Sequence, residues 1–447
     1  MKGSEKLKAG TTGTSRVEML SGMLCSPDGR RELANELEAL LFRDALDAHW
    51  PATRDADCGG YLTGLDQYWR PAGEQTKSLE FIARQTCAYA RAARVYSGRG
   101  YDEAARQGYA FLTEKMWDAE YGGFFTLVDR RGRPLEQGRK HPHGHLYAVD
   151  AFIEISPLIG GQNARLWARR SFAWLEDVAW DPEHGGYWGY YQRNNQQIRA
   201  GGKSWFERYD WIGTPVGLKD LNIVVDSLAT LTALVAFGCD DRADARLKWY
   251  VRHILDNLIP RFETLPFLYT QNWTTAPDIP RSGQPFQLIT ALLQATIGTN
   301  RLGDALAACK RITAACVNYF THPNGGYTFA SSVYAGPLLG VDLTVPERSW
   351  WVQSEAARGA LLLALSCPDD AQWRTAFARQ WAFVEDRMID HRYHGFYDSA
   401  EQGRKAGRWR LRKGAALNKT SIWKDVSHET RQLMDSIDWL RNGPGIP

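Results

Sequence analysis

His428 is the residue of this chain best suited to proton transfer, because the ordinary pKa of a histidine lies near neutrality. It belongs to the segment Trp-Lys-Asp-Val-Ser-His-Glu-Thr-Arg, residues 423–431. Trp423 and Arg431 of the same segment are candidate substrate-binding residues. A structural histidine that only satisfies hydrogen bonds in the core is the alternative interpretation.

Two charged residues lie within otherwise apolar runs. Asp226 follows Asn222, a candidate substrate-binding residue, by one helical turn. A carboxylate in such a run is either hydrogen-bonded core or has a pKa raised by desolvation, as a general base requires. Arg84 needs an anionic partner or a ligand, and it is our candidate for stabilising an oxyanion.

His143 and His145 stand at alternate positions in Lys-His-Pro-His-Gly-His, residues 140–145. Either imidazole could bind a ligand, and His145 could also carry a proton. The sequence offers no matched set of carboxylates and histidines around them. We therefore predict neither a metal nor a cofactor.

The other candidates are one pair of amides and a separate segment that carries a tryptophan, an amide and an acid. Gln284 and Gln287 share a helix face and can hold hydroxyl groups, but an amide cannot carry a proton. Trp351 would supply an aromatic floor, and Gln353 and Glu355 follow it with an amide and an acid. We expect all five to bind substrate.

A repeated turn sets the positions of these residues along the chain. A polar turn ending in Gly-Gly-aromatic occurs at 55–61, 118–124, 181–187 and 324–327, with a weaker copy at 394–397. The first glycines are 63, 63, 140 and 70 residues apart, so one copy has decayed near 262–273. Units of about 65–70 residues at a fixed period predict a repeat fold.

Two sets of helical pattern alternate between the turns. The amphipathic set should form an outer wall, and it covers 31–48, 102–116, 163–178, 242–258, 301–319 and 369–387. The set that is apolar on most sides should form an inner wall, and it covers 78–96, 143–158, 219–237, 284–298, 349–365 and 427–441. Six hairpins of two helices predict an all-α (α/α)6 barrel. We expect residues 1–30 to be a flexible leader and 31–447 to be a single domain.

The lengths of the links indicate where a pocket would lie. The long links, which carry the Gly-Gly turns, run from each outer helix to the next inner helix. They lie together at the end of the barrel where the inner helices begin. The free N–H groups of the inner-helix N-termini point toward this end. This end should be the mouth, and the segment 201–209 is either a lid over it or an ordinary loop.

Composition excludes several classes of protein. The 54 basic and 51 acidic residues form no long run of either sign, which argues against nucleic acid and anionic membranes. No apolar stretch is long enough to span a bilayer. Seven cysteines without a Cys-x-x-Cys pair indicate a reduced, cytoplasmic protein. The 18 tryptophans fill core or offer flat faces to sugar rings.

The chain resembles the N-acylglucosamine 2-epimerase superfamily, which includes cellobiose 2-epimerases and aldose–ketose isomerases. Residues 350–356, Trp-Trp-Val-Gln-Ser-Glu-Ala, are similar to the family's Trp-Trp-x-Gln-x-Glu-Ala. Residues 423–431 are similar to its Trp-Lys-x-x-x-His-x-x-Arg. The Gly-Gly turns and the helix that bears Arg84 also fit.

The resemblance implies deprotonation next to the carbonyl of an open-chain sugar, through an enediolate, with two histidines exchanging the proton. One of these histidines maps onto His428. The other belongs to a Gly-His-x-x-Glu motif, where this chain has Gln284 and Gln287. A third family histidine maps onto Asp226, and the family's Tyr-x-Gln maps onto 143–145. The Trp-bearing motifs and the Gly-Gly turns match the family, but the residues that would exchange the proton do not.

Three classes of function follow. In a sugar epimerase or isomerase, Asp226 or one of the histidines at 143 and 145 would replace the missing histidine. In an (α/α)6-barrel glycoside hydrolase or lyase, Asp226 and Glu355 would be the carboxylate pair. A sugar-binding or regulatory protein would keep the pocket without catalysis. The expected partner is a small carbohydrate or related polyol, and a homodimer is left open.

Overall fold

A computed structural model describes residues 15–199, 208–330, 345–402 and 418–446. After a short helix α1 (Arg16–Met23), outer and inner helices alternate. The outer helices are α2 (Pro27–Leu40), α4 (Tyr101–Phe111), α6 (Gly161–Trp174), α8 (Arg242–Arg252), α10 (Leu302–Phe320) and α12 (Ala371–Arg387). The inner helices are α3 (Leu79–Val95), α5 (Pro142–Ile159), α7 (Leu221–Phe237), α9 (Gly283–Thr296), α11 (Trp350–Ser366) and α13 (Ser427–Asn442). The predicted alternation is confirmed.

The six inner helices form a closed ring. Each packs against the next inner helix along the chain, and α13 packs against α3. An inner helix is therefore covered on most sides, and the successive residues Ile223, Val224 and Val225 of α7 are all buried. Outer helix α8 buries only Ala243 and Tyr250, on one face. The architecture is the predicted (α/α)6 barrel.

Buried ion pairs explain why the Gly-Gly turn repeats. One carboxylate oxygen of Asp118 accepts the backbone N–H groups of Glu120 and Tyr121 inside the turn. The other oxygen lies 3.1 Å from Nζ of Lys140, two residues before α5. The pairs of this type are Lys77–Asp55, Lys140–Asp118, Lys219–Asp181 and Lys419–Asp390. The first three pairs tie a turn to the residues directly before the next inner helix, and Lys419–Asp390 ties a turn to β6.

The second glycine of the turn is required by close packing. Gly123 has a φ of 78°, a conformation that L side chains rarely adopt. A Cβ at this position would lie 2.6 Å from the indole nitrogen of Trp174 on the neighbouring outer helix. The turn therefore carries glycine where the backbone meets the outer wall.

Short strands join the long loops at one end of the barrel. Strand β2 (Lys77–Ser78) pairs with β3 (Leu127–Val128), β4 (Lys219–Asp220) with β5 (Leu268–Tyr269), and β1 (Leu65–Asp66) with β6 (Asn418–Thr420). Strands β2 and β4 end directly before α3 and α7. The long loops thus surround the inner-helix N-termini. The decayed repeat near 262–273 lacks a glycine pair but keeps its strand, β5.

The N-terminal region differs from the expected leader. Ser15 and Glu18 form a capping box that starts α1, and Arg16 pairs with Glu385 on α12. Leu20 and Met23 are buried, so α1 packs on the outer wall. Residues 16–23 and 27–30 are therefore helical, and the expectation of a flexible leader does not hold for them. Residues 1–14, and 201–207 of the suggested lid, lie outside the described residues.

None of the helices in the described ranges combines the length and the apolar character that crossing a membrane requires.

Candidate active site

The first turn of α13 carries His428 into the barrel interior, where its side chain is 6% exposed. Its Nδ1 lies 2.8 Å from Oε1 of Glu355 on α11, nearer than the 3.2 Å to Nη2 of Arg431. A carboxylate can only accept, so Nδ1 carries the proton and Nε2 keeps a lone pair. Within the part of the chain that the structure describes, Nε2 makes no hydrogen bond.

The pKa of His428 lies below the ordinary value of a histidine. Burial is the main cause, and the positive charge of Arg431 lowers the pKa further. The hydrogen bond to Glu355 acts in the opposite direction without outweighing them. His428 is therefore neutral at pH 7 and can act as a base through Nε2.

Glu355 is the centre of a cluster of charged side chains. Arg431 donates to the same carboxylate oxygen as His428, and Arg358 donates to the other at 3.3 Å. Burial acts to raise the pKa of Glu355, but the two arginines and His428 outweigh burial and hold the pKa far below its usual range. Glu355 is thus an anion that fixes the orientation of His428.

His143 is held between two carboxylates. Its Nε2 lies 3.0 Å from Oδ2 of Asp226 on α7, and its Nδ1 lies 3.3 Å from Oε1 of Glu80 on α3. Burial opposes the charged form, but the bonds and charges of both carboxylates raise the pKa of His143 to about 10. His143 is an imidazolium whose two N–H groups are both engaged.

Asp226 is hydrogen-bonded and buried, which was one of the two alternatives that the sequence left open. Its Oδ1 accepts from Nε2 of Gln287 at 2.6 Å and from the hydroxyl of Tyr147 at 3.2 Å, while Oδ2 accepts from His143. Burial acts to raise the pKa of Asp226, but His143, Arg431 and Gln287 outweigh it and the pKa is lowered. Hydrogen bonds and cations thus compensate for the desolvation of this carboxylate. Asp226 is an ionised, fully engaged carboxylate.

Arg84 lies under the segment that bears His428. Its Nε donates to Asp425 at 2.7 Å and its Nη2 donates to the carbonyl of Trp423 at 2.9 Å. The guanidinium also lies 5.2 Å from the ring centre of Tyr147. With Nε and Nη2 engaged, Nη1 is the nitrogen that can donate to a ligand.

Amide and aromatic groups complete the surroundings of His428. Nε2 of Gln284 donates to Oδ1 of Asn222 at 2.6 Å, which joins α9 to α7. The ring centre of Trp351 lies 5.6 Å from that of His428. Trp351 is only partly buried, so its face is available to a ligand as well.

Comparison with known proteins gives relatives over the whole barrel. A sequence model described as N-acylglucosamine 2-epimerase (GlcNAc 2-epimerase) matches residues 59–204. A cellobiose 2-epimerase of Bacteroides fragilis is 23% identical over 434 residues, which cover 91% of this chain and 98% of that protein. The structure of cellobiose 2-epimerase from Spirochaeta thermophila has a TM-score of 0.77 at 22% identity and covers 92% of this chain and 98% of its own. The chain is thus similar to N-acylglucosamine 2-epimerases over residues 59–204 and to cellobiose 2-epimerases over most of its length.

More distant structures share the fold alone. A D-mannose isomerase has a TM-score of 0.74 at 18% identity, covering 90% of this chain and 97% of its own. A family 76 glycoside hydrolase from a Bacteroides thetaiotaomicron strain has a TM-score of 0.56 at 11% identity, covering 91% of this chain and 77% of its own. The hydrolase is therefore less similar in structure than the members of the superfamily.

The two segments that carried the resemblance to the superfamily meet in space. Glu355 of 350–356 and His428 of 423–431 share a hydrogen bond. Gln284 and Gln287 occupy α9, where the superfamily motif would place a histidine and a glutamate, and they bond Asn222 and Asp226 instead. This chain thus differs from the superfamily motif in the chemistry of these two side chains and not in its fold.

Two predicted residues do not line the pocket. His145 accepts the N–H of Phe124 at 2.8 Å through Nε2, and its Nδ1 bonds the carbonyl of His141. Gln353 accepts the N–H of Tyr327 at 3.0 Å and donates to the carbonyl of the same residue. Both side chains satisfy the backbone of a Gly-Gly turn, so the predicted catalytic and substrate-binding roles are corrected to structural ones.

Sequence reasoning missed several residues of these clusters. Glu80, Tyr147, Asp425 and Arg358 each bond a predicted residue. Three of the four lie three or four positions from a predicted residue on the same helix, in the pairs Glu80–Arg84, His143–Tyr147 and Glu355–Arg358. That spacing places two side chains on one face and could have revealed them.

Proposed function

We propose that this chain moves a proton next to the carbonyl carbon of an open-chain sugar, as an aldose isomerase or epimerase. The observation that carries the proposal is His428, a neutral imidazole with an unengaged Nε2 and a buried carboxylate on Nδ1. This is the arrangement that general-base catalysis requires. The names of the relatives, cellobiose 2-epimerase and D-mannose isomerase, describe reactions of the same kind.

The proposed step begins with removal of the proton on C2 of the aldose by Nε2 of His428. The electron pair of the C–H bond forms a double bond between C1 and C2, and the carbonyl oxygen O1 becomes an oxyanion. Arg84 can donate to O1 through Nη1, and a donor aimed at developing charge stabilises the transition state. When Nε2 returns the proton to C1 and the hydroxyl proton of O2 passes to O1, the product is the 2-ketose.

The hydrogen bonds that the other side chains near His428 already make favour isomerisation over direct inversion at C2. If the enediolate intermediate keeps its orientation in the site, inversion needs a second acid on the opposite face of C2. Gln284 and Gln287 cannot carry protons, and both nitrogens of His143 are bonded to carboxylates. Asp226 accepts three hydrogen bonds and has a lowered pKa. A single base is enough to move a proton from C2 to C1 on one face of the enediolate. We therefore propose an aldose–ketose isomerase.

Cleavage of a glycosidic bond is not favoured by the same contacts. A hydrolase needs one carboxylic acid that is protonated and one carboxylate that is accessible. Glu355 is fully buried and held by two arginines and His428, and Asp226 is held by His143. Neither carboxylate combines access with a raised pKa. Binding of sugar without turnover is the remaining alternative and is decided by experiment.

The test is incubation with glucose, mannose and cellobiose in deuterated water, followed by NMR. We expect the 2-ketose, with deuterium at C1 in the fraction of turnovers in which the proton on Nε2 exchanges with solvent before it is transferred to C1. His428→Asn should lower the rate about 10²–10⁴-fold with the Tm unchanged. His391→Asn, which alters an exposed histidine, is the matched control and should keep full activity.

Other products would decide against parts of the proposal. The 2-epimer with deuterium at C2 and no ketose would contradict the single-base step and require a second acid. Cleavage of cellobiose would indicate the hydrolase. Saturable binding of a sugar without exchange would indicate a binding protein. If His428→Asn or His428→Ala stays active, the assigned base is wrong.

A further inference from the structure

A second cavity lies along the barrel axis beneath the residues of the candidate active site. Its volume is about 330 Å³, and residues of all six inner helices line it. Arg84, Tyr147, Gln287 and Arg431 line it, and Arg431 also contacts His428. Its wall then follows the inner helices toward their C-terminal ends, where Arg94 is half exposed. We call this space the rear cavity.

Small residues leave the rear cavity open. Ala88, Ala229, Ala233 and Ala291 face it from three inner helices. Alanine side chains cannot reach across the axis as leucine would, so the centre of the ring is not filled. A volume at the lower end of the range for small-molecule sites suits a ligand of a few heavy atoms up to a monosaccharide derivative.

The rear cavity contains more hydrogen-bond donors than acceptors. Arg91 makes one hydrogen bond within the described residues, to Asp435, and Arg94 makes one, to Glu154. Nε of Arg431 is buried and has no acceptor. A guanidinium carries five N–H donors, so most donors of these three arginines are unused. The buried Nε of Arg431 and the partly exposed donors of Arg91 and Arg94 together suit an acceptor-rich ligand.

The charges of the rear cavity are also unbalanced. Five arginines line it, against the carboxyl groups of Asp150, Glu154 and Asp435. Burial raises the pKa of Asp150 to about 8, and its Oδ1 has no hydrogen-bond partner, so at pH 7 it can present an O–H group. Even with all three of these carboxyl groups ionised, the side chains that line the cavity carry more positive than negative charge. Asp425, Glu355 and Asp226 lie behind the wall and offset part of this excess.

From the cavity, its unused guanidinium donors and its positive excess, we infer that the rear cavity binds a phosphate-class oxyanion. The fork of an arginine matches the geometry of phosphate oxygens, and such charge-assisted bonds are the strong ones. The ligand is either free phosphate or the phosphate group of a small metabolite, because both present the same oxygens. The inference holds whether or not the proposed sugar chemistry is correct.

The rear cavity is connected to His428 by a chain of ion pairs. Arg358 contacts Asp435 at 2.6 Å and Glu355 at 3.3 Å, and Glu355 bonds both Arg431 and His428. An anion that offsets the charge of Arg358 and Arg431 would raise the pKa of His428, which Arg431 and Arg84 lower and Glu355 raises. This consequence rests on the proposed function, in which neutral His428 is the base. Bound phosphate should therefore shift the acidic limb of the pH–rate profile toward higher pH.

The direct test is calorimetric titration of the full chain with inorganic phosphate at pH 7 and constant ionic strength, without sugar. We expect saturable binding, and glucose 6-phosphate as a second titrant distinguishes a phosphate ester from the free ion. Arg94→Met should weaken binding, and Arg91→Met combined with Arg94→Met should weaken it at least about tenfold. Arg133→Met removes an exposed arginine paired with Asp129 and should leave binding unchanged.

Two results would overturn the inference. One is the absence of saturable binding of either titrant with a Kd below about 10 mM. The other is binding that the double variant leaves unchanged, since phosphate would then occupy another place. The Arg94 variant alone guards against loss of folding, because its side chain is half exposed and its one carboxylate partner lies at the rim. Phosphate binding without any shift of the pH–rate profile would contradict the coupling to His428 but would still support the binding site.

Discussion

His428 and His143 are both buried imidazoles, yet their pKa values move in opposite directions. His428 has one carboxylate neighbour and an arginine beside it, so burial prevails and the pKa falls. His143 has a carboxylate on each nitrogen, so the pKa rises to about 10. One imidazole is thereby neutral and able to accept a proton, and the other is a fixed cation. The environment, rather than the residue type, assigns the roles.

The Asp226–His143 contact should stabilise the fold more than it serves proton transfer. We expect Asp226→Asn to lower the free energy of unfolding by about 3–5 kcal/mol at pH 7, because it leaves the His143 cation with one partner in the interior. Asp244→Asn, at an exposed pair with Lys248, should change it by less than about 0.5 kcal/mol. Urea unfolding measures both. If Asp226→Asn is as stable as the parent and inactive, Asp226 is a catalytic base after all.

The pH dependence of this contribution has a definite sign. The folded-state pKa of His143, about 10, lies above its ordinary value of 6.5. The stabilisation is therefore fully present below pH 6.5 and is lost as the pH rises toward 10. In the double variant His143→Gln with Asp226→Asn, the loss of stability between pH 6.5 and about pH 10 should disappear. The double variant should also cost less than the sum of the two single variants.

At the residue scale the sequence predicted which side chains meet better than what state they adopt. Arg84, Glu355 and His428 were expected in one place, and the bonds among their neighbours bring them there. The pKa of Asp226 could not be predicted, because its partner His143 lies in a different repeat and only folding brings them together. Gln353 was misassigned because a turn backbone can use an amide as well as a ligand can.

At the scale of elements, periodicity predicted each inner helix within two residues, because burial on all sides and burial on one side leave different patterns. The predicted ends of the outer helices differ by up to eight residues, since several α-helices continue into π-helical turns. Helix α1 was missed because its eight residues are too few for a clear pattern, and contacts with α12 stabilise it. The Lys–Asp pairs were also missed. Each lysine lies at the end of a long loop, where an isolated charge normally indicates solvent.

The buried pair Lys140–Asp118 should be important for stability although it lies far from His428. Neither side chain is more than 1% exposed. Lys140→Met leaves Asp118 with Arg193 as its remaining charged partner, and we expect a loss of about 3–5 kcal/mol in urea unfolding. Lys248→Met, at an exposed i, i+4 pair, is the matched control and should cost less than about 0.5 kcal/mol. Equal, small effects would mean that the pair does not hold the turn.

At the scale of the whole molecule, closure of the ring is what places the site. Arg84 on the first inner helix bonds Asp425, just before the last, and Arg91 bonds Asp435 on the last. The first and last repeats therefore complete each other, and neither holds the candidate base without the other. The six-unit period predicted such a closed ring. Which residues join its ends could not be predicted, since the partners are separated by almost the whole chain.

A closed ring should unfold as one unit. Leu228 on α7 and Leu433 on α13 are both completely buried, and their helices lie on opposite sides of the ring. Leu228→Ala and Leu433→Ala should each cost about 2–5 kcal/mol, and each should lower the Tm of the entire helical signal rather than of one part. Circular dichroism, tryptophan fluorescence and the ratio of calorimetric to van't Hoff enthalpy measure this. If the two variants shift separate transitions, the barrel consists of independently folding halves, and the single domain predicted for 31–447 is wrong.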